Sequence, residues 1–162
     1  MLDIANSGKI EIGAIYRMNL DENDEVTPKD GMNYRPKFLI IVGNADYGYY
    51  VAYVLVNKSV NQKFLYSKEL LDCQYPLHMK DYPEIFKIDP SFANLAKIRE
   101  IEQKRLLKEA SYQGKLTEKD LYLILESLKN SEIPNMYSGS NDLLAFFLLD
   151  NAEYVKLPLL IK

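Results

Sequence analysis

The stretch YRPKFLIIVGN, residues 34–44, determines how the rest of the chain is organised. Five bulky or β-branched residues, from Phe38 to Val42, follow directly behind an Arg-Pro pair, a pattern that predicts a buried strand. Pro36 has no N–H to give to a sheet ladder, so it marks the entrance of that strand. Arg35 is therefore expected at the rim of the sheet, where the strand meets the preceding loop.

Further strands are predicted on both sides of this stretch. KIEIGAIYRMNL, residues 9–20, alternates in polarity, and Gly13 within it indicates a bulge or a tight bend. The polar segment 21–33 reads as a long surface loop. On the other side, the turn NADYG leads into YYVAYVLVN, residues 49–57, and so short a turn implies antiparallel neighbours. The middle of the chain, residues 58–88, predicts loops with short strands at 63–67 and 84–88. Residues 89–101 predict a turn and a strand that lead into a helix.

Helical signals dominate after residue 101. In residues 102–112 the apolar residues recur at helical spacing, which predicts a helix. Gly114 is expected to break this helix. Thr117 is a suitable N-cap for a second helix, which Pro134 closes. This helix has an apolar stripe at spacings of three and four residues, predicted to pack on the sheet. The stripe consists of Leu121, Ile124, Leu125 and Leu128.

The composition is that of a soluble globular protein. The chain has 162 residues, of which 48% are hydrophobic and 27% charged. No long apolar run or signal-peptide pattern is visible, and a single cysteine fits a reducing compartment, so the expected location is cytoplasmic. The net charge of −3 argues against a broad phosphate-binding surface but leaves room for a small cationic pocket.

Several kinds of chemistry are not predicted. The chain contains no phosphate-binding loop, no dinucleotide fingerprint and no hydrolase elbow. Cys73 and the only histidine, His78, are too few for a zinc site, and an ordinary structural pair is the favoured interpretation. We therefore expect neither a metal nor a cofactor.

Three stretches in order resemble the MazF, PemK and Kid group of plasmid-maintenance and growth-inhibitor toxins. They are GAIYRMNL (13–20), YRPKFLIIVG (34–43) and the strand-and-helix segment 95–131. The resemblance implies an α+β, β-rich fold, an SH3-like antiparallel barrel of the CcdB/PemK kind with C-terminal helices. It assigns the barrel to residues 1–133 and leaves 134–162 as a C-terminal extension packed on the same domain.

The resemblance also implies a function, that of a toxin in a toxin–antitoxin system. Such proteins are homodimeric, metal-independent endoribonucleases that cut single-stranded RNA and are held inactive by an antitoxin protein. The 2′-OH attacks the adjacent phosphate and leaves a cyclic phosphate and a 5′-OH. Arg35 matches the Arg-Pro arginine, which implies a phosphate clamp, since a guanidinium fork binds two phosphate oxygens. The alternative is a structural arginine that pairs with an acid of the 21–33 loop.

The second catalytic position is less well matched. Asn57 stands where the family has Thr or Ser, and an amide can donate to phosphate but cannot act as acid or base. Ser59 reaches the same face if the register shifts by two. The catalytic candidates are therefore Arg35, Asn57 and Ser59. The candidates for substrate contact are Tyr16, Tyr34, Lys58 and Arg99. The alternative function is a barrel without catalysis that binds RNA or a protein.

Overall fold

The computed structural model describes residues 10–24, 26–28, 31–45, 49–59 and 67–130. These residues form a mostly antiparallel, seven-stranded sheet with a few helices, so the prediction of a β-rich α+β fold is confirmed. The predicted strand at 63–67 and the extension 134–162 lie essentially outside the described residues.

Strands make up the first half of the described chain, and α-helices are interspersed among the strands of the second half. The strands are β1 (Ala14–Leu20), β2 (Arg35–Ala45), β3 (Tyr50–Asn57), β4 (Gln74–Leu77), β5 (Ser91–Asn94), β6 (Arg99–Glu102) and β7 (Ser111–Lys115). The helices are α1 (Lys68–Asp72), α2 (Gln103–Glu109) and α3 (Glu118–Asn130). Short 3-10 turns occupy Glu22–Asp24 and Met79–Asp81.

The sheet has β2 and β3 near its centre and β4 and β7 at its ends. The strand order is β4-β5-β3-β2-β1-β7, and β6 pairs with the first half of β3 while β5 pairs with its end. Within the described residues β4 and β7 do not pair with each other, and the sheet is not closed. The residues from Leu39 to Val42 are fully buried because the sheet is covered on both faces there.

The bend predicted at Gly13 is confirmed. Its φ is +93°, a left-handed conformation that glycine adopts without steric cost. Its N–H donates to the carbonyl of Ile41 at 2.7 Å, and its own carbonyl accepts from the N–H of Leu116 at 2.9 Å. A Cβ at this position would lie 3.1 Å from the Leu121 side chain. Gly13 thus allows α3 to approach the start of β1 closely.

The predicted packing of α3 is also confirmed. Ile124, Leu125 and Leu128 are each at most 1% exposed, and Leu121 is half-buried against the same core. Thr117 caps the helix, because its Oγ1 accepts a hydrogen bond from the N–H of Asp120 at 3.2 Å.

Two predicted elements are wrong. Residues 84–88 form turns rather than a strand, because buried Phe86 anchors them through edge-to-face contacts with Phe38 and Tyr82. The helix expected over 102–112 ends at Glu109, and the residues that follow form β7, which pairs with β1. Gly114 does not break a helix but lies inside this strand with a φ of +145°.

Two tyrosines tie the first turn of α3 to the middle of the chain. The hydroxyls of Tyr75 and Tyr82 donate to the two carboxylate oxygens of Asp120 at 2.6 and 2.5 Å. Burial is the larger cause and the hydrogen bond to Asp120 is the second. Together they raise the pKa of Tyr82 to about 12, and they also raise the pKa of Tyr75. The folded state therefore holds these phenolic protons more tightly than the unfolded chain, whose tyrosine pKa is about 10.

We expect this network to lose its stabilising effect in alkaline solution. A raised pKa stabilises the folded state fully below pH of about 10, and the contribution disappears as the pH rises toward the folded values. Urea unfolding at pH 9 and pH 11 should show a loss of stability that is smaller in Tyr82→Phe, which lacks one of the titrating hydroxyls. Equal losses in both proteins would contradict the assignment.

Candidate functional site

A cleft of about 770 Å³ lies where the start of β2 and the end of β3 face the turn segment 84–88. The strand register explains what meets there. Phe38 of β2 is opposite Arg17 of β1 on one side and Val56 of β3 on the other, and all three residues line the cleft. The floor is therefore sheet, and buried Phe86 fixes the turn segment as the opposite wall.

The lining of this cleft is positively charged. Among the residues that the structure describes, the lining includes five cationic residues and one acidic residue, Glu84, although the whole chain has a net charge of −3. The cationic side chains are those of Arg17, Arg35, Lys37, Lys58 and Lys87. We call this site the cationic cleft. Low-dielectric walls concentrate such a field, so the cationic cleft favours an anionic ligand.

Arg35 lies at the first position of β2, opposite Leu20 of β1, and lines the cationic cleft. Its guanidinium forms no hydrogen bond or ion pair with any residue that the structure describes. Asp24, an acid of the 21–33 loop, is instead bound by Arg105 in a fork with distances of 2.6 and 3.0 Å. Those hydrogen bonds hold the pKa of Asp24 below its usual value. Within the described part of that loop, the predicted alternative of a loop salt bridge for Arg35 has no support.

Asn57 is the last residue of β3, and it lines the cationic cleft together with Lys58. The Nζ of Lys37 donates to the Asn57 Oδ1 at 2.6 Å, and Lys37 is only 8% exposed. Ser59 is exposed beyond the end of β3 and does not line the cleft. The structure thus brings Arg35, Asn57 and Lys58 together and leaves Ser59 outside.

Of the other residues predicted to contact substrate, one lines the cationic cleft and two lie elsewhere. Tyr34 lines the cationic cleft and is 39% exposed, so its ring is accessible. Tyr16 does not line it. Tyr16 packs edge-to-face on Tyr112 at 5.6 Å, and burial raises its pKa. Arg99 is also elsewhere, with its guanidinium donating to the Asp24 carbonyl at 2.5 Å, a contact that holds the loop after β1.

Sequence reasoning missed several cleft residues. Arg17 and Lys37 stand inside stretches with the pattern of strands, where a lone cation usually marks a solvent-facing position. Lys87 and Glu84 belong to the segment predicted as a strand. The one available signal was Lys37, a lysine immediately before a run of five apolar residues, where a charged side chain must find a partner.

The structure also locates the remaining candidates for metal or nucleophile chemistry. Cys73 is buried at the end of α1, and the Nδ1 of His78 lies 3.4 Å from Asp89 at the surface. Across the described ranges, no group of three or more His, Cys, Asp or Glu side chains is placed to hold a metal ion. No helix in those ranges has the length and apolar content needed to cross a bilayer.

No protein-family model matches the chain, and no curated protein sequence shows significant similarity to it.

Proposed function

We propose that the chain binds single-stranded RNA in the cationic cleft and cuts it without a metal. The observation that carries the proposal is Arg35, a guanidinium without a partner among the described residues, at the rim of a positively charged cleft in an acidic protein. Unpaired bases need an exposed π-face to stack on, and Tyr34 provides one beside the cations. The order of the three stretches that resemble MazF-like toxins supports the same function.

The proposed reaction is attack of a ribose 2′-OH on the adjacent phosphorus. The 2′-O–P bond forms, the P–O5′ bond breaks, and the products carry a cyclic phosphate and a 5′-OH. Arg35 binds the phosphate oxygens that gain charge in the transition state, and Asn57 donates a further hydrogen bond. The 2′-OH proton passes to Glu84, the carboxylate among the described lining residues, and water protonates the leaving oxygen.

The test is direct incubation of purified, antitoxin-free protein with single-stranded RNA. We expect fragments with 5′-OH and cyclic phosphate ends, formed equally well with and without EDTA. The same oligonucleotide with 2′-deoxyribose at every position is the matched control and should stay intact because it has no attacking hydroxyl. Intact RNA in the presence of well-folded protein would overturn the cleavage function.

A binding module without catalysis is the second candidate, and Asn57 favours it. An amide at the position of the family hydroxyl removes a group that takes part in proton transfer, while the cationic cleft keeps its attraction for phosphate. Gel-shift and cleavage assays on one RNA separate the two functions. Bound but uncut RNA supports the module.

The proposal extends to fold and partners. We propose that the open sheet is a variant of the SH3-like barrel and that the protein is a cytoplasmic toxin. An antitoxin with an extended acidic segment suits the cationic cleft and would compete with RNA for it. Tyr49 and Tyr112, which are 73% and 57% exposed, offer apolar surface for a homodimer. Light scattering should then give about twice the chain mass of 18.8 kDa.

A further inference from the structure

Lys37 is a buried cation in the lining of the cationic cleft. It belongs to β2, directly before the apolar run, and only 8% of it is exposed. A buried ammonium group is stable only where polar atoms replace its water. One of these atoms is the Asn57 Oδ1, which lies 2.6 Å from the Lys37 Nζ on the neighbouring strand.

This contact determines which way the Asn57 amide faces. An ammonium group has three donors and no acceptor, so only the carbonyl end of the amide can face it. The Nδ2 end must then face elsewhere, and it has no acceptor among the described residues. Asn57 is one of the residues that line the cationic cleft, and Nδ2 is the end of its amide that the contact with Lys37 leaves unoccupied.

We propose that Lys37 is a positioning residue that holds the Asn57 amide with its Nδ2 hydrogens toward a bound phosphodiester. The inference rests on the proposed function, because the ligand is the RNA phosphate of that same cleft. Without the ammonium group the amide can turn over and present its carbonyl oxygen, which repels a phosphate oxygen. Lys37 therefore acts on the ligand through Asn57. A hydroxyl, as in the family, can rotate to donate its hydrogen bond, whereas the amide of Asn57 can donate only if it is held in the right orientation.

The first test is a double-mutant cycle on the affinity for an all-2′-deoxy oligonucleotide, which binds without being cut. Lys37→Met and Asn57→Ala should each weaken binding about ten- to hundredfold, the loss typical of a hydrogen bond to a charged group. The double variant should lose little more than either single variant, because both remove the same interaction. Lys87→Met is the matched control, since Lys87 lies on the separate turn segment 84–88 and its loss should combine additively with Asn57→Ala. An additive result for Lys37 and Asn57 would overturn the inference.

The variant Asn57→Asp distinguishes an effect of the Asn57 amide on binding from an effect on the stability of the fold. A carboxylate keeps the partner of Lys37 but has no N–H, so the melting temperature should be retained while binding falls at least as far as in Asn57→Ala. Wild-type affinity in this variant would refute the role of Nδ2. This comparison does not depend on how well Lys37→Met folds.

Nuclear magnetic resonance provides a direct readout. In wild-type protein the side-chain amide resonances of Asn57 should shift when the deoxy oligonucleotide is added, and in Lys37→Met they should shift less. Binding without such a shift would overturn the inference and leave the binding function intact. If the deoxy oligonucleotide binds and causes the shift, but ribose RNA stays intact in the cleavage assay, only the nuclease function is rejected. An oligonucleotide that fails to bind wild-type protein would reject both.

Discussion

Leu125→Asp is expected to prevent the domain from folding at ordinary temperatures. Leu125 lies in the middle of α3, is 1% exposed and belongs to the main core. Truncating such a leucine costs about 2–5 kcal/mol. A carboxylate at the same place adds the cost of a buried and unpaired polar group. The sum approaches the whole stability of a typical domain, about 5–15 kcal/mol.

Ser127→Asp is the matched control for this prediction. Ser127 lies two residues further along α3 and is exposed, so the same new side chain stays in water. We expect its stability to change by about 0.5 kcal/mol or less. Circular dichroism during heating and in urea should show a cooperative transition for Ser127→Asp and none for Leu125→Asp. A wild-type melting temperature for Leu125→Asp would mean that the buried face of α3 is wrongly assigned. Leu125→Ala provides a variant with a measurable, intermediate loss.

The elements that could be predicted from the sequence are those whose own residues specify them. The helix α3 has a cap at Thr117 and an apolar stripe, and the central strands have runs of β-branched residues. The strand β7 was missed because SYQGK has no apolar alternation, and its pairing with β1 is what makes it extended. The turns at 84–88 were missed for a similar reason, since the long-range contact of Phe86 with Phe38 fixes them.

The same distinction applies to the candidate site. The local sequence is enough to locate some of its residues, whereas others come together only in the folded chain. The place of Arg35 at the entrance of a strand could be predicted because it precedes a proline there. Lys87 and Glu84 could not be found in this way, since only the folded chain brings the 84–88 turns over β2 and β3. The orientation of Asn57 depends on Lys37, twenty residues away, and no spacing in the sequence indicates that two residues will be cross-strand neighbours.

The loss of Arg35 is expected to abolish most of the proposed activity. Removing a preorganised donor to a developing oxyanion costs about 3–4 kcal/mol, or about 10²–10³ in rate. Arg35→Ala should therefore cut RNA slower by this factor, and it should relieve the growth arrest that the proposed toxin function predicts for expression without an antitoxin. Because the guanidinium has no partner among the described residues, the fold should be unaffected.

Two further variants test whether geometry or charge explains the loss. Arg35→Lys should remain strongly impaired, since a point charge cannot reproduce the two-pronged contact of a guanidinium with phosphate. Lys104→Ala removes one positive charge from an exposed position on α2 outside the cationic cleft, and it should cut RNA at the wild-type rate. Full recovery in Arg35→Lys would reduce Arg35 to a source of electrostatic attraction. Wild-type cleavage by Arg35→Ala would remove it from the site and return it to the role of a charged residue at a strand end.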